Sequence, residues 1–339
     1  MIAIHHKKSG FAPRWIEYCQ DQSIPYKLVN CYDSNIMDQL ADCDALLWHH
    51  SQQNPADLLI AKQILFAAEQ AGMVVFPNFN TGWHFDDKVG QKYLLEGIEA
   101  PLVPSYAFYD KKEALNWVTE TDFPKVFKLR GGAGSTNVKL VHSRQQAKKL
   151  IYRTFGRGFE NFDRWGTFQD RLRKFSWSTE GLVNIAKGLA RFVYPPHYSR
   201  VMGRERGYVY FQDFIPDNTY DTRIIVIDGK AFGLRRYVRK NDFRASGSGN
   251  FAYERELFDE RCVKLSFDMT DQLGLQVGAF DFVFDENDQP LVVEVSYGYS
   301  ASGYYDCPGY WDSNLQWHEG KFYSQDWMVD LVVKEVESR

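Results

Sequence analysis

Residues 123–141, Phe-Pro-Lys-Val-Phe-Lys-Leu-Arg-Gly-Gly-Ala-Gly-Ser-Thr-Asn-Val-Lys-Leu-Val, constrain the fold more than any other stretch. Two short runs that mix apolar and polar residues, 126–129 and 138–141, predict strands. The glycines between them permit positive φ values and the close backbone approach that a phosphate chain requires. A loop of the G-x-x-x-x-G-K-[ST] type is excluded, because no lysine follows the glycines and a strand follows instead of a helix. A glycine hairpin that holds nothing remains the plain structural alternative at this point.

From residue 1 to about 80, strand-like and helix-like runs alternate. Residues 1–5, 26–31, 45–48 and 73–77 read as strands, and 14–20, 36–40 and 56–71 read as helices. That alternation predicts a small parallel α/β domain over residues 1–85. Its first turn carries only Gly10 and no G-x-G-x-x-G, so a dinucleotide role is poorly supported and a substrate-facing or scaffold role fits better.

The next stretch, Asn80 to Lys88, runs into a helix-like segment at 89–97, followed by a strand candidate at 103–108 and a helix candidate at 111–119. Residues 144–206 then break the alternation and carry fourteen Lys and Arg against five Asp and Glu. A basic segment bearing Trp165, Phe168, Phe175 and Trp177 could hold nucleic acid or an anionic membrane. No nucleic-acid motif accompanies it, which favours a partly helical insertion with a solvated basic face.

Order returns at 208–216. Two strands over 220–236 meet at the Asp228-Gly229 turn, a hairpin signal, and 258–273 reads as a helix. A second hairpin pairs 277–284 with 290–295. Asp281 and Glu294 sit inside these apolar strands, where burying a carboxylate is costly unless it is paired or holds a metal. Strand alternation puts both on one face, with Phe280, Phe282, Val293 and Val295 expected on the other. Two carboxylates on facing strands suggest magnesium.

A formal net charge of -4 over 339 residues argues against a bulk polyanion binder or membrane-surface protein, and no run approaches the length of a membrane span. Five scattered cysteines contain no C-x-x-C pair and are expected to be reduced in a cytoplasmic protein.

In this order the motifs resemble those of the ATP-grasp superfamily, and in detail its carboxylate–amine ligases, such as the glutamate ligases that modify ribosomal proteins. The resemblance rests on Asp87-Lys88, Pro124-Lys125-Val126-Phe127-Lys128, residues 131–135, Phe211-Gln212-Asp213-Phe214-Ile215, Asp221-Thr222-Arg223, Arg236, Phe243-Arg244, Asp281 and Glu294-Val295-Ser296. It implies an α+β ATP-grasp part over residues 86–339, whose two subdomains grip ATP, with a lid at about 102–211 that includes the basic insertion. It further implies that Lys88, Lys128 and the loop residues Gly131, Gly132, Gly134 and Ser135 meet the ATP phosphates. Gln212, Asp213, Phe214 and Asp221 would complete the nucleotide site; Arg223, Arg236 and Arg244 would face the carboxylate and transferred phosphoryl group; Asp281, Glu294 and Ser296 would hold Mg²⁺. Two departures stand out: Ser296 replaces the family's metal-binding asparagine, and Ala245 follows Phe243-Arg244 where an asparagine is common.

The implied activity is amide formation from small-molecule or sugar-linked carboxylates and amines through an acyl phosphate, without nucleic acid, and with a homodimer compatible. The alternatives are a kinase on the same scaffold and a non-catalytic nucleotide- or anionic-polymer-binding module. The aromatic stretch 297–311 is expected chiefly to pack, and His318 to be a surface residue.

Overall fold

In the computed structural model the described residues are 1–132, 137–162, 168, 172, 178–194, 196–239 and 242–339. They form two compact units. The first comprises Met1–Phe85, Tyr93–Leu102 and Asp217–Arg339, and the second Asp86–Lys92 and Val103–Pro216.

The first unit opens with four short strands, β1 (Ile2–His5), β2 (Tyr26–Val29), β3 (Ala45–Leu47) and β4 (Val74–Phe76). All pair in parallel, in the order β2-β1-β3-β4. The predicted parallel α/β arrangement is therefore present, within a unit that also includes 93–102 and 217–339, and every strand predicted in this segment forms within two residues of its expected limits. Parallel strands need crossover helices, which bury both faces. Leu65, Ala68 and Ala61 of helix Pro55–Gln70 cover Ala3, Leu46 and Trp48 on one face. On the other face, Trp15 and Cys19 of helix Ala12–Asp21 meet Ile2, Ile4 and Leu47. Asn54 caps the longer helix, its side chain accepting from the Ala56 N–H at 3.1 Å.

The second unit is built on a sheet in the order β5-β10-β6-β7, antiparallel throughout, from β5 (Ser105–Phe108), β6 (Lys125–Lys128), β7 (Lys139–Val141) and β10 (Val209–Asp213). A small ribbon pairs β8 (Phe159–Glu160) with β9 (Arg204–Glu205). Phe127, Phe211 and Val209 point to one face, where Ala114 and Val118 of helix Lys111–Glu120 and Ala147 and Ile151 of helix Arg144–Thr154 close the core. Helix Arg144–Thr154 thus has a buried apolar side, and its basic residues take the remaining sides. Helices Thr179–Val193 and His197–Met202 follow. Trp165, Phe175 and Trp177 of the basic segment lie outside the described residues.

The first unit resumes as a larger antiparallel sheet in the order β15-β14-β11-β12-β16-β17, with β13 (Phe251–Ala252) on β12. Its strands are β11 (Tyr220–Ile227), β12 (Lys230–Tyr237), β14 (Val277–Phe284), β15 (Pro290–Ser296), β16 (Gly309–Asp312) and β17 (Trp317–Glu319). Ile224 and Val226 face helix Glu260–Leu273, whereas Ile225 and Ile227 face the core shared with helix Ser324–Glu337. Gly233 fits where any Cβ would meet the Ile224 Cδ1 at 2.8 Å. His318 stacks on Tyr310 and pairs through Nε2 with Asp312 at 2.7 Å.

One expectation on this sheet is corrected. Asp281 pairs with Glu294, but Phe282 pairs with Val292, so a bulge leaves Val293 as the extra residue. Val292 and Val295 are therefore in the core, and Val293, predicted there, is only partly buried. No helix among the described residues is long and apolar enough to cross a membrane.

Candidate functional site

The second unit brings several predicted residues together at the base of the glycine loop. Asp86 takes a positive φ of 55°, which turns the chain into helix Lys88–Gly97 and aims its carboxylate back at the loop. Its Oδ1 accepts from the Gly132 N–H at 2.9 Å, and a Cβ on Gly131 would stand 3.2 Å from its Oδ2. Lys88 donates twice, its N–H to the Arg130 carbonyl and its Nζ to the Gly132 carbonyl, each at 2.9 Å. Asp87 pairs with Arg130 and accepts from the Gly90 N–H at 2.9 Å. The loop's first glycines are thus tied to residues 86–88. Gly134 and Ser135 lie outside the described residues.

The sheet face opposite the Phe127 core is polar. Lys128 lies across from Tyr210 and Gln212 across from Val126, so both side chains share that face. Lys128 Nζ donates to Gln212 Oε1 at 2.5 Å, and Gln212 Nε2 donates to Ser105 Oγ at 3.0 Å. The Gln212 amide is therefore anchored at both ends. Asp213 has the opposite parity, and its Oδ1 takes Lys125 Nζ at 2.5 Å on the other face. Its carboxylate is directed away from Lys128; Phe214 lies just past the end of β10.

The first unit holds the other half of the predicted set on one face of three adjacent strands. Register places Arg223 opposite Asp281, and Asp221 opposite Arg236. Arg223 grips Asp281 through Nε (2.5 Å) and an Nη (2.7 Å), while Arg236 grips Asp221 at 2.5 and 2.8 Å. Arg236 also reaches Asp281 Oδ2 at 2.7 Å, closing an alternating chain of two carboxylates and two guanidiniums. Further along the same face stand Ile225, Ile227, Phe232, Leu234, Val277 and Ala279, all core. One sheet face therefore changes from apolar core to charged cluster within a few residues.

Burial here favours the neutral form of each carboxyl. At Asp281 the two guanidiniums outweigh it and hold the carboxyl well below its usual range, whereas at Asp221 burial and the neighbouring Asp281 prevail and the shift is upward. Tyr304, at the end of the turn Ala301–Tyr304, lies within the field of this cluster, and burial pushes its phenol up to about 12. Composition gave no reason to separate it from the other aromatics of 297–311, of which Tyr297, Tyr299, Tyr304 and Trp311 are buried. Arg244 donates through Nε and an Nη to Asp242, at 2.9 and 2.6 Å.

The expected metal site takes a different form. Both Asp281 oxygens accept from guanidiniums, and Ser296 Oγ is engaged with the backbone of Gly298 at 3.1 Å. No group of three or more His, Cys, Asp and Glu among the described residues could hold a metal ion. As arranged, Asp281 and Ser296 do not fit a directly ligated divalent cation, because two guanidiniums hold the Asp281 carboxylate and the Gly298 backbone engages the Ser296 hydroxyl.

No curated protein matches the chain by sequence. Residues 198–304, which span the charge cluster, match the model of the RimK-like ATP-grasp domain. Among solved structures, the biotin carboxylase domain of 2-oxoglutarate carboxylase from Hydrogenobacter thermophilus, crystallised with MgADP, ADP and bicarbonate, superposes with a TM-score of 0.60 at 12% identity, over 98% of this chain and 69% of that one. A RimK domain protein ATP-grasp from Sphaerobacter thermophilus DSM 20745 gives 0.57 at 16% identity, over 98% and 99%. The D-cycloserine synthetase DcsG gives 0.58 at 13% identity, over 98% and 99%. The chain has the ATP-grasp fold, matches the RimK-like ATP-grasp domain model over residues 198–304, and resembles the ATP-grasp ligases.

Proposed function

We propose that this chain is an ATP-dependent carboxylate–amine ligase. A substrate carboxylate oxygen attacks the γ-phosphorus of ATP, ADP leaves, and an amine then attacks the acyl phosphate carbon, giving an amide and inorganic phosphate. In-line phosphoryl transfer needs charge neutralisation and positioning rather than a protein nucleophile. The observation that carries the reading is the pair of guanidiniums, the buried Arg236 and the half-buried Arg223, held on one sheet face inside the segment that matches the RimK-like domain. Planar forks of this kind suit carboxylate and phosphoryl oxygens.

Lys88, Lys128 and the backbone of Gly131 and Gly132 are the proposed phosphate contacts, with Gly134, Ser135, Gln212, Phe214 and Asp221 completing the nucleotide site. Arg244 is proposed to act on the carboxylate side. The cofactor of the reading is ATP, carried with Mg²⁺ as in the MgADP complex of the Hydrogenobacter relative. A cytoplasmic setting belongs to the same reading and is supported by five free cysteines.

The test is ADP release on pooled amino acids, amino sugars and small acids with mass detection, followed by turnover of an ¹⁸O-labelled carboxylate. A ligase needs both acid and amine and transfers one ¹⁸O to phosphate. A stable phosphorylated product formed without an amine would make it a kinase, and Mg·ATP binding without turnover a non-catalytic module.

A further inference from the structure

The parallel sheet of the first unit has an order, β2-β1-β3-β4, in which the chain leaves β1 toward one edge and β3 toward the other. Loops leaving in opposite directions open a crevice at the carboxyl ends of the two strands, where open α/β sheets receive ligands. The sequence places His5, His6 and Lys7 at the end of β1 and Trp48, His49 and His50 at the end of β3. We propose that this crevice binds a carboxylate group of the substrate, through the Lys7 ammonium and the Nε2–H of His49; the assignment rests on the ligase reading above.

The donors are fixed in advance. The Phe11 N–H donates to His49 Nδ1 at 3.0 Å, which puts the ring's proton on Nε2. The ring stacks on Phe11 at 3.7 Å and lies over Gly10, whose φ of +81° and missing side chain make room for it. Burial, with the Lys7 charge second, keeps this imidazole neutral down to about pH 3, so it donates without acting as an acid. His5 has the same tautomer, its Nδ1 accepting from the Cys31 N–H at 3.0 Å.

Lys7 is positioned by Asp57, whose fully buried carboxylate accepts from Lys7 Nζ (3.3 Å), the Ser51 N–H (2.7 Å) and the Tyr32 hydroxyl (2.5 Å). An ammonium has three donors, so two remain. The Lys7 charge is among the causes that disfavour protonation of His5, His49 and His50. His50 is buried between Phe85 and Tyr297 with its Nε2 unpartnered. One cation among neutral N–H donors matches a single negative charge.

One buried chain segment touches both the crevice and the charge cluster. Tyr297 donates to the His50 carbonyl at 2.9 Å and Tyr299 packs against Phe11 at 5.0 Å, and the same segment ends at Tyr304 in the field of Arg223, Arg236 and Asp281.

The experiment is ¹⁵N NMR of the histidine side chains in the full chain, without nucleotide, during titration with acetate, L-glutamate and succinate. Acetamide and succinamide are the uncharged controls, and sodium chloride holds the ionic strength. The expected result is a saturable shift of the His49 Nε2 resonance with at least one carboxylate and none with the amides. Lys7→Met and His49→Phe, the latter keeping the ring stack, should each weaken that binding at least tenfold, with Lys7→Arg near the parent. The proposal is overturned if no carboxylate gives a saturable shift, if the amides bind equally, or if folded His49→Phe binds as the parent does. These outcomes need no ATP, so they are separate from a failure of the ligase reading, which appears as absent ADP release.

Discussion

Replacing Arg236 with methionine tests the charge cluster directly. Arg236 supplies both donors to Asp221 and one of the three contacts to Asp281. Methionine retains much of the stem's packing and removes the guanidinium, leaving Asp221 without its ion-pair partner while Asp281 keeps Arg223. Removing one partner of a buried ion pair costs roughly 3–5 kcal/mol. Because 16% of the Asp221 side chain remains exposed, the lower end applies, about 3 kcal/mol. In a unit of about 220 residues, each kcal/mol moves Tm by about 2–4 °C, so a loss of roughly 6–12 °C is expected. The sign with pH gives a second handle. Asp221 already has a raised pKa when folded, so its native form binds more protons than the unfolded one, and stability falls as pH rises through that folded value. Losing Arg236 extends this loss to higher pH, and adding Asp221→Asn should restore much of the lost Tm. The assay is calorimetry of both variants between pH 4 and 8. A Tm loss under 2 °C, or one that Asp221→Asn leaves unchanged at neutral pH, would refute the account of Asp221 as a carboxylate dependent on Arg236.

Lys128→Ala should weaken ATP binding at least tenfold in calorimetric titration while far-UV circular dichroism stays unchanged, because the ammonium on the polar sheet face is removed and the Phe127 core opposite is left intact. Gly10→Ala should lower stability by about 1–3 kcal/mol, from forcing a positive φ on alanine and displacing the His49 ring, and denaturant unfolding would show it. His49 and His5 fold with lowered pKa values, about 3 and about 4, so their neutral forms stabilise the chain above about pH 6.5 and that support is lost progressively as pH falls toward those values. A Tm measured from pH 7 to 4 should fall less steeply in His49→Phe than in the parent. Mg²⁺ alone should leave the Tm of the nucleotide-free protein unchanged, since arginines hold Asp281; a rise of several degrees that Asp281→Asn abolishes would show direct ligation.

The period-two and period-3.6 patterns made most elements legible, because each strand or helix has one face whose burial the sequence states outright. The hairpin at Asp228-Gly229 and the alternation of 1–80 are of that kind. Charge pairing was less legible: Arg223 and Asp281 are 58 residues apart, and only the register of β11 against β14 brings them into contact. Reading Asp281 as a metal ligand followed from seeing two carboxylates in apolar strands, but the same burial cost is met by guanidiniums arriving from two other strands. The bulge that moves Val293 out of the core leaves no mark in the alternation of residues 290–295, since valine occupies three of its positions. The histidine crevice was invisible for a similar reason, being assembled from strand order rather than from spacing.

The packing of helix Ser324–Glu337 has a consequence for synthesis. Arg14 and Asp326, 312 positions apart, form a two-point ion pair at 2.7 Å, Tyr18 bonds Asp330 at 2.8 Å, and Met328, Val329 and Val332 fill the core that Trp15 and Ile4 also enter. β1 therefore cannot bury that face until residues 324–337 have left the ribosome, about 300 positions later. Until then, the nascent 1–85 segment presents an apolar surface to the cell, and its protection over that interval falls to the ribosome's surroundings and not to the protein's own sequence.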